Sequence, residues 1–238
     1  MDRLRQLGLS GAFVSVTTLF FVWGFISSNN DPLIVALRAV FQLSYTEGLL
    51  TQLVFFLAYG LVSLPAASLG NRLGPVNTIA LALGTMIAGC LLVRFSTRFD
   101  GFVPILAALF VLAVGITTLQ VSANPLVAAL GPQRTSHFRL SLAQTFNSLG
   151  VVVGVQYGSK IMLGDRVIAT GKGAITDPGQ RLEALGAINH VFSIMAAMLA
   201  VLAVFVLLQR HRIAAAAAAI GPMPEASVLD ALRSRWAI

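Results

Sequence analysis

The stretch Phe102–Ala129 reads FVPILAALFVLAVGITTLQVSANPLVAA and holds no Asp, Glu, Lys or Arg. About 20 apolar residues in helical form cover a ~30 Å hydrocarbon core, so an uncharged run of this length marks a membrane-spanning helix. The run does not alternate apolar and polar residues, as the strands of an outer-membrane barrel do. Five more blocks of spanning length surround it: Gly11–Leu37, Gly48–Leu69, Val76–Phe95, Phe138–Leu163 and Leu185–Gln209. The sequence therefore reads as an all-α integral membrane protein, a bundle of six transmembrane helices.

Composition agrees. Hydrophobic residues make up 57% of the chain and charged residues 11%, against about 25% charged in soluble domains. The formal net charge of +7 raises nucleic acid as a partner, but the distribution excludes it. Arg3, Arg5, Arg72, Arg134, Arg139, Arg210 and Arg212 sit at block edges and form no basic stripe with interleaved aromatics. Such edges are where membrane topology places charge. The single cysteine, Cys90, lies within an apolar block and can form no internal disulfide. Arg3 and Arg5 precede an apolar stretch, as in a signal peptide. No small-residue cleavage site follows, so the stretch reads as a retained first helix.

Connections are short except for Gly164 to Glu183, which is Gly-rich, charged and read as an aqueous loop. After Gln209 come Arg210-His211-Arg212, an Ala run, the breaker Gly221-Pro222-Met223-Pro224 and a polar piece ending at Arg233-Ser234-Arg235-Trp236. The chain thus divides into a six-helix transmembrane domain, 1–209, and a segment, 210–238, read as a cytoplasmic linker with a candidate start of a seventh helix. Placing the N-terminus inside gathers Arg3, Arg5, Arg72, Arg134, Arg139, Arg210, Arg212, Arg233 and Arg235 on the inner side. Arg38, Arg94, Arg98, Lys160, Arg166, Lys172 and Arg181 fall outside. The bias toward inner positive charge favours that orientation, in the inner (plasma) membrane.

Polar residues within the spans point to function. Asp31 follows Asn29-Asn30 and precedes Pro32. A carboxylate deep in a helix costs about 2.5–3.5 kcal/mol on insertion scales, so such residues normally face a polar interior. Pro32 lacks an N–H and removes the bond to the Ser28 carbonyl, an irregularity tolerated only under protein or beside water. Asp31 is either a protonatable or substrate-binding carboxylate in a central cavity, or an interfacial helix cap paired with Arg38. In the fourth block, Gln120 and Asn124 are four apart and share a face, and Pro125 frees the Val121 carbonyl. In the fifth, Ser141, Gln144, Asn147 and Ser148 share one. Amides donate and accept, which suits a neutral, hydroxyl-rich ligand; they also serve as interhelical glue worth about 0.6 kcal/mol on average. Asp31, Gln120, Asn124, Gln144 and Asn147 together favour a cavity.

Phe21, Trp23, Phe25, Phe55, Phe56 and Tyr59 are candidates for stacking on a sugar ring, though aromatics are more often core or lipid-facing. His190 beside Asn189 is either a relay or a hydrogen-bonded histidine at a helix end. Gly84, Gly89, Gly150, Gly154 and Gly158 fit close helix packing. No metal-ligand spacing, Walker loop or catalytic constellation is present, so neither an enzyme nor a bound cofactor is expected.

The run Phe20-Phe21-Val22-Trp23-Gly24-Phe25 leading to Asn30-Asp31-Pro32-Leu33-Ile34 resembles the first helix of the fucose/galactose/glucose permease family, within the major facilitator superfamily. Leu43-Ser44-Tyr45-Thr46, Ala123-Asn124-Pro125 and the long run His137–Ser148 extend the resemblance over five helices. Asn71-Arg72-Leu73-Gly74 stands where the superfamily carries an Asp-Arg-x-Gly core, with Asn for Asp, and this places that loop on the cytoplasmic side. The resemblance implies import of a neutral hexose or deoxyhexose coupled to a proton or sodium ion, by alternating access. It assigns Asp31 to sugar binding and coupling, and Asn30, Gln120, Asn124, Gln144 and Asn147 to the sugar cavity. Fucose permeases carry an acid where this chain has Gln120, while glucose/galactose members carry an amide, which leans the specificity toward glucose or galactose.

Family permeases have twelve helices in two halves with the substrate site between them. This chain resembles the N-terminal half plus linker, so the second half is expected from another six-helix chain or from self-pairing. The alternative is a truncated, non-transporting membrane protein or a sugar-binding half-subunit.

Overall fold

A computed structural model describes residues 11–99, 101–162, 175 and 177–218. The expectations for Arg3, Arg5, Arg166, Lys172, the Gly221–Pro224 breaker and the C-terminal polar piece lie outside the described residues. Those residues form no strand. The helices are α1 (Gly11–Ser28), α2 (Asn30–Phe41), α3 (Tyr45–Leu73), α4 (Pro75–Ser96), α5 (Phe102–Ala129), α6 (Ser136–Met162) and α7 (Pro178–Ala218), with a 3-10 turn at Gln133–Thr135.

The first block is one rod in two pieces. With no N–H on Pro32, the chain loosens at Asn29, whose N–H donates to Ile26 at 3.2 Å; helix resumes as Leu33 donates to Asn29 at 3.2 Å. The rod ends at Gln42, left-handed at φ 52. A capping box then starts α3: Glu47 N–H donates to Ser44 Oγ at 3.2 Å, and Ser44 N–H to Glu47 Oε2 at 2.8 Å. Gly74, at φ 80, makes the sharp joint from α3 to α4, and Pro75 occupies the first position of α4.

The sixth block begins earlier than its hydropathy indicated. Asp177 accepts from the Gln180 N–H at 3.1 Å, and Pro178 opens α7. Pro178 to Glu183, expected within an aqueous loop, is therefore helical. At its far end α7 runs through Arg210 and His211 to Ala218.

Four helices meet the length and composition of a membrane span: α3, α4, α5 and α7. α6 has the length, at 27 residues, but its amides and hydroxyls lower its hydropathy below theirs.

The most extensive contacts are α4 with α5, α1 with α6, α4 with α7, and α3 with α5. Glycine sets the first two. A Cβ at Gly89 would strike the Leu112 backbone 2.6 Å away, and one at Gly115 would meet Met86 and the Ala82 carbonyl. On α6, Gly150, Gly154 and Gly158 recur every four residues, and a Cβ at each would overlap Phe21, Phe25 and Asn29 of the first rod. Gly84, by contrast, faces open space. Leu19, Phe20, Ile26, Met86, Cys90, Leu109, Leu112 and Phe192 form the buried interior.

Apolar side chains stay uncovered on several helices, α4 (Leu81, Leu91, Phe95) and α7 (Val201, Val204, Leu208) among them. α3 exposes Leu49, Leu53, Phe56, Leu57, Leu61 and Leu64, and α6 exposes Phe146, Leu149, Val153 and Tyr157. The polar Ser141, Thr145 and Ser148 of α6 are exposed as well.

Candidate functional site

α5 and α6 carry four of the six expected site residues, and two of those four meet. Asn124 and Gln144 join the two helices directly: Gln144 Nε2 donates to Asn124 Oδ1 at 3.3 Å. One turn along α5, Gln120 Nε2 donates to the Tyr59 hydroxyl of α3 at 3.2 Å. All four side chains are half-buried. The amide oxygens of Gln120 and Gln144 are free to accept, and the amide hydrogens can be re-aimed at little cost.

Asn147 behaves differently. Its Nδ2 donates to the Phe20 carbonyl of α1 at 3.0 Å, and the α1 backbone comes so near that a Cβ at Gly24 would overlap the Asn147 carbonyl. Its amide nitrogen therefore serves the α1–α6 contact, while Oδ1 makes no hydrogen bond among the described residues.

Asn30 and Asp31 sit at another level of the bundle. Asn29, beside them, packs on Gly158 of α6, about 16 Å along that helix from Asn147 at 1.5 Å per residue. Asp31 is exposed in the first turn of α2, and its carboxylate has no hydrogen bond or ion pair among the described residues. The alternative partner, Arg38, lies instead over the Tyr45 ring, 5.2 Å from its centroid, with its stem across Gly48. The Oδ1 atoms of Asn29 and Asn30 are buried without a hydrogen-bond partner. A buried, unsatisfied amide oxygen costs about 1–3 kcal/mol, so these two at the helix break are poised for a donor.

Of the aromatic candidates, Trp23 and Phe25 are core residues, and Trp23 stands edge-to-face with Phe20 at 5.6 Å. Phe56 is exposed. Tyr59, bonded to Gln120, is the aromatic in contact with the amide group.

One residue outruns its reading from sequence. Arg139, taken as a charge at a block edge, is fully buried. Its guanidinium donates to the carbonyls of Val127 at 3.3 Å, Pro132 at 3.0 Å and Gly131 at 3.3 Å, to the Thr135 hydroxyl at 2.7 Å, and to the Ala128 carbonyl. It thereby satisfies the orphan carbonyls at the C-terminus of α5 and neutralises the negative end of its dipole. This fixes α5 against α6 one turn from the Asn124–Gln144 pair.

The residues, in order and in placement, match a known design. A family profile of the Major Facilitator Superfamily matches residues 10–237. The chain belongs to the Major Facilitator Superfamily. Among curated members it is 43% identical over 169 residues to a glucose/galactose transporter of Brucella abortus biovar 1 (strain 9-941), covering 71% of this chain and 41% of that one. It is 33% identical over 151 residues to the L-fucose-proton symporter of Escherichia coli (strain K12), covering 63% and 34%. Its structure superposes on the superfamily transporter FucP in the outward conformation with a TM-score of 0.71 at 27% identity, covering 84% of this chain and 50% of FucP. The chain thus spans about half or less of the length of the relatives it matches. The fold is one half of a superfamily transporter, and the protein is a membrane protein.

Proposed function

We propose that this chain forms the N-terminal half of a sugar transporter that moves a neutral hexose or deoxyhexose together with a cation, a proton in the first instance. In this reading Gln120, Asn124 and Gln144 hydrogen-bond the sugar hydroxyls, with Tyr59 beside them. Asn30 and Asp31 act nearer one end, where Asp31 binds sugar and carries the coupling proton. Asn147 holds the helix that bears the site and offers its free oxygen to the cavity. The N-terminus is cytoplasmic, in the inner membrane.

One observation carries the proposal: the amides of α5 and α6 and the Asp31 carboxylate are left half-buried or exposed in a bundle of apolar helices. Polar groups at that depth are stable only against water or more protein. A second six-helix half over the open faces of α3 and α6 would enclose them. The names of the relatives, glucose/galactose transporter and L-fucose-proton symporter, support the ligand class, and the amide at Gln120 favours glucose or galactose.

The test is equilibrium binding of labelled glucose, galactose and fucose to the purified chain, followed by counterflow in liposomes containing it alone. Saturable binding weakened by Gln144→Ala is the expected result. Counterflow would add that two copies pair into a complete path. Folded protein that binds none of the three sugars would overturn the proposal.

A further inference from the structure

Away from the amide group, the end of α4 and the first turns of α7 enclose a cleft of about 370 Å³ lined by Arg94, Arg98, Gly186, Asn189, His190 and Ser193. Its walls are fixed. Arg94 Nη1 donates to Ser193 Oγ at 3.3 Å, and Ser193 Oγ donates to the Asn189 carbonyl at 2.7 Å. Thr97 Oγ1 lies 2.8 Å from both the Arg94 carbonyl and the Asn189 side-chain amide, sharing its one hydrogen between them, and so holds Asn189 at the cleft wall. Gly186 has no atom within 4 Å of where its Cβ would stand, so that side of the cleft is open.

The lining is rich in donors and has no carboxylate. Among the described residues neither guanidinium forms an ion pair: Arg94 bonds Ser193, and Arg98 lies over the Phe95 ring, 5.9 Å from its centroid. Two guanidiniums without an ion pair among the described residues, in one lining with the Asn189 amide and Ser193 hydroxyl, suit an anion of several oxygens, and the planar fork of Arg matches phosphate in particular.

The surroundings indicate the source of that phosphate. α4 ends at Ser96, so the cleft lies where a span leaves the hydrocarbon. Phe95 and Phe99, both about half exposed, stand edge-to-face at 5.2 Å beside Arg98. Exposed apolar rings beside basic side chains, whose charged heads reach for the interface, fit the boundary between hydrocarbon and headgroups. We propose that this cleft binds the phosphate of an anionic glycerophospholipid headgroup. A zwitterionic headgroup would bring its ammonium toward two guanidiniums and is disfavoured.

The proposal is tested with the purified chain in phosphatidylcholine vesicles carrying trace spin-labelled phosphatidylglycerol or phosphatidylcholine, reading the immobilised lipid fraction. Wild type should prefer phosphatidylglycerol by about fivefold. R94Q/R98Q should bring the preference to near parity, and R94K/R98K, which keeps both charges without the planar fork, should retain part of it. G186E, which sets a carboxylate in the cleft while keeping both arginines, should abolish it. R72Q, in the last turn of α3 beside the start of α4 and so at the opposite end of α4 from the cleft, should leave it unchanged. All four positions, Arg72, Arg94, Arg98 and Gly186, are exposed, so equal melting midpoints are expected and are checked alongside. A preference that resists millimolar inorganic phosphate assigns the cleft to lipid; loss of the immobilised fraction to inorganic phosphate assigns the same chemistry to a soluble anion. The proposal falls if wild type shows no preference, if R94Q/R98Q keeps it, or if R72Q lowers it as much.

Discussion

The side-chain amide of Asn147 donates to the main-chain carbonyl of Phe20 at 3.0 Å, in the same contact where Gly150 brings α6 onto Phe21. An amide three residues away on the same helix, Gln144, reaches the other neighbour, α5. α6 therefore divides its amides between holding α1 and facing α5.

That division separates two variants. Asn147→Ala should cost about 0.6 kcal/mol of stability, the mean for an interhelical hydrogen bond in a membrane. Gln144→Ala, which gives up its own interhelical bond to Asn124, should cost a similar amount of stability and in addition weaken sugar binding about tenfold, as expected for one lost hydrogen bond to a buried ligand. Melting curves and binding isotherms on the same preparations check both.

The glycines give a second contrast. Gly154→Leu must push apart α1 and α6, because even a Cβ there overlaps Phe25 and Ser28; overpacking of this kind costs about 1–3 kcal/mol. Gly84→Ala meets no atom within 4 Å and should stabilise α4 by about 0.5–1 kcal/mol. Thermal denaturation in one detergent compares them, and the two shifts should have opposite signs.

Arg139→Lys is not conservative here. A lysine ammonium has three hydrogens on one nitrogen and cannot span the acceptors from Val127 to Thr135 that the guanidinium reaches. A loss of about 1.5–3 kcal/mol is expected, with α5 frayed at Val127–Leu130. Hydrogen exchange confined to that turn would confirm the locus; uniform exchange across the bundle would contradict it.

Asp31→Asn should abolish cation-driven accumulation in any complete transporter containing this half, while facilitated exchange persists. Gln120→Glu sets a titratable group beside Tyr59 and should introduce a new pH-dependent limb into uptake. Accumulation and exchange measured across pH in proteoliposomes test both, and full accumulation by Asp31→Asn would remove the coupling role.

Much of the fold was legible because bilayers demand long uncharged runs, and Phe102–Ala129 meets that demand on its face. The break at Asn29 was legible too, since Pro32 must free the Ser28 carbonyl. The start of α7 could have been read from Asp177-Pro178, a capping residue followed by the preferred first residue of a helix; hydropathy pointed instead to Leu185. Facing was harder. Spacing put Gln144 and Asn147 together, but no spacing rule says which neighbour a helix face will meet, and the two amides turned to different helices. Arg139 was least legible, because a charge at the edge of an apolar block looks the same in sequence whether it reaches water or folds back over carbonyls.

The hydropathy of α6 has a consequence for how the protein is made. Its amides leave it the long helix that falls short of a span by composition, and its glycine face fits the first rod. Synthesis delivers α1 to the bilayer well before α6 leaves the ribosome. A segment reluctant to partition into lipid by itself is received by a helix already waiting there, so α1 acts as the dock for a late arrival. A bulky residue at Gly154 would then reduce the amount of protein inserted before it altered any sugar passing through.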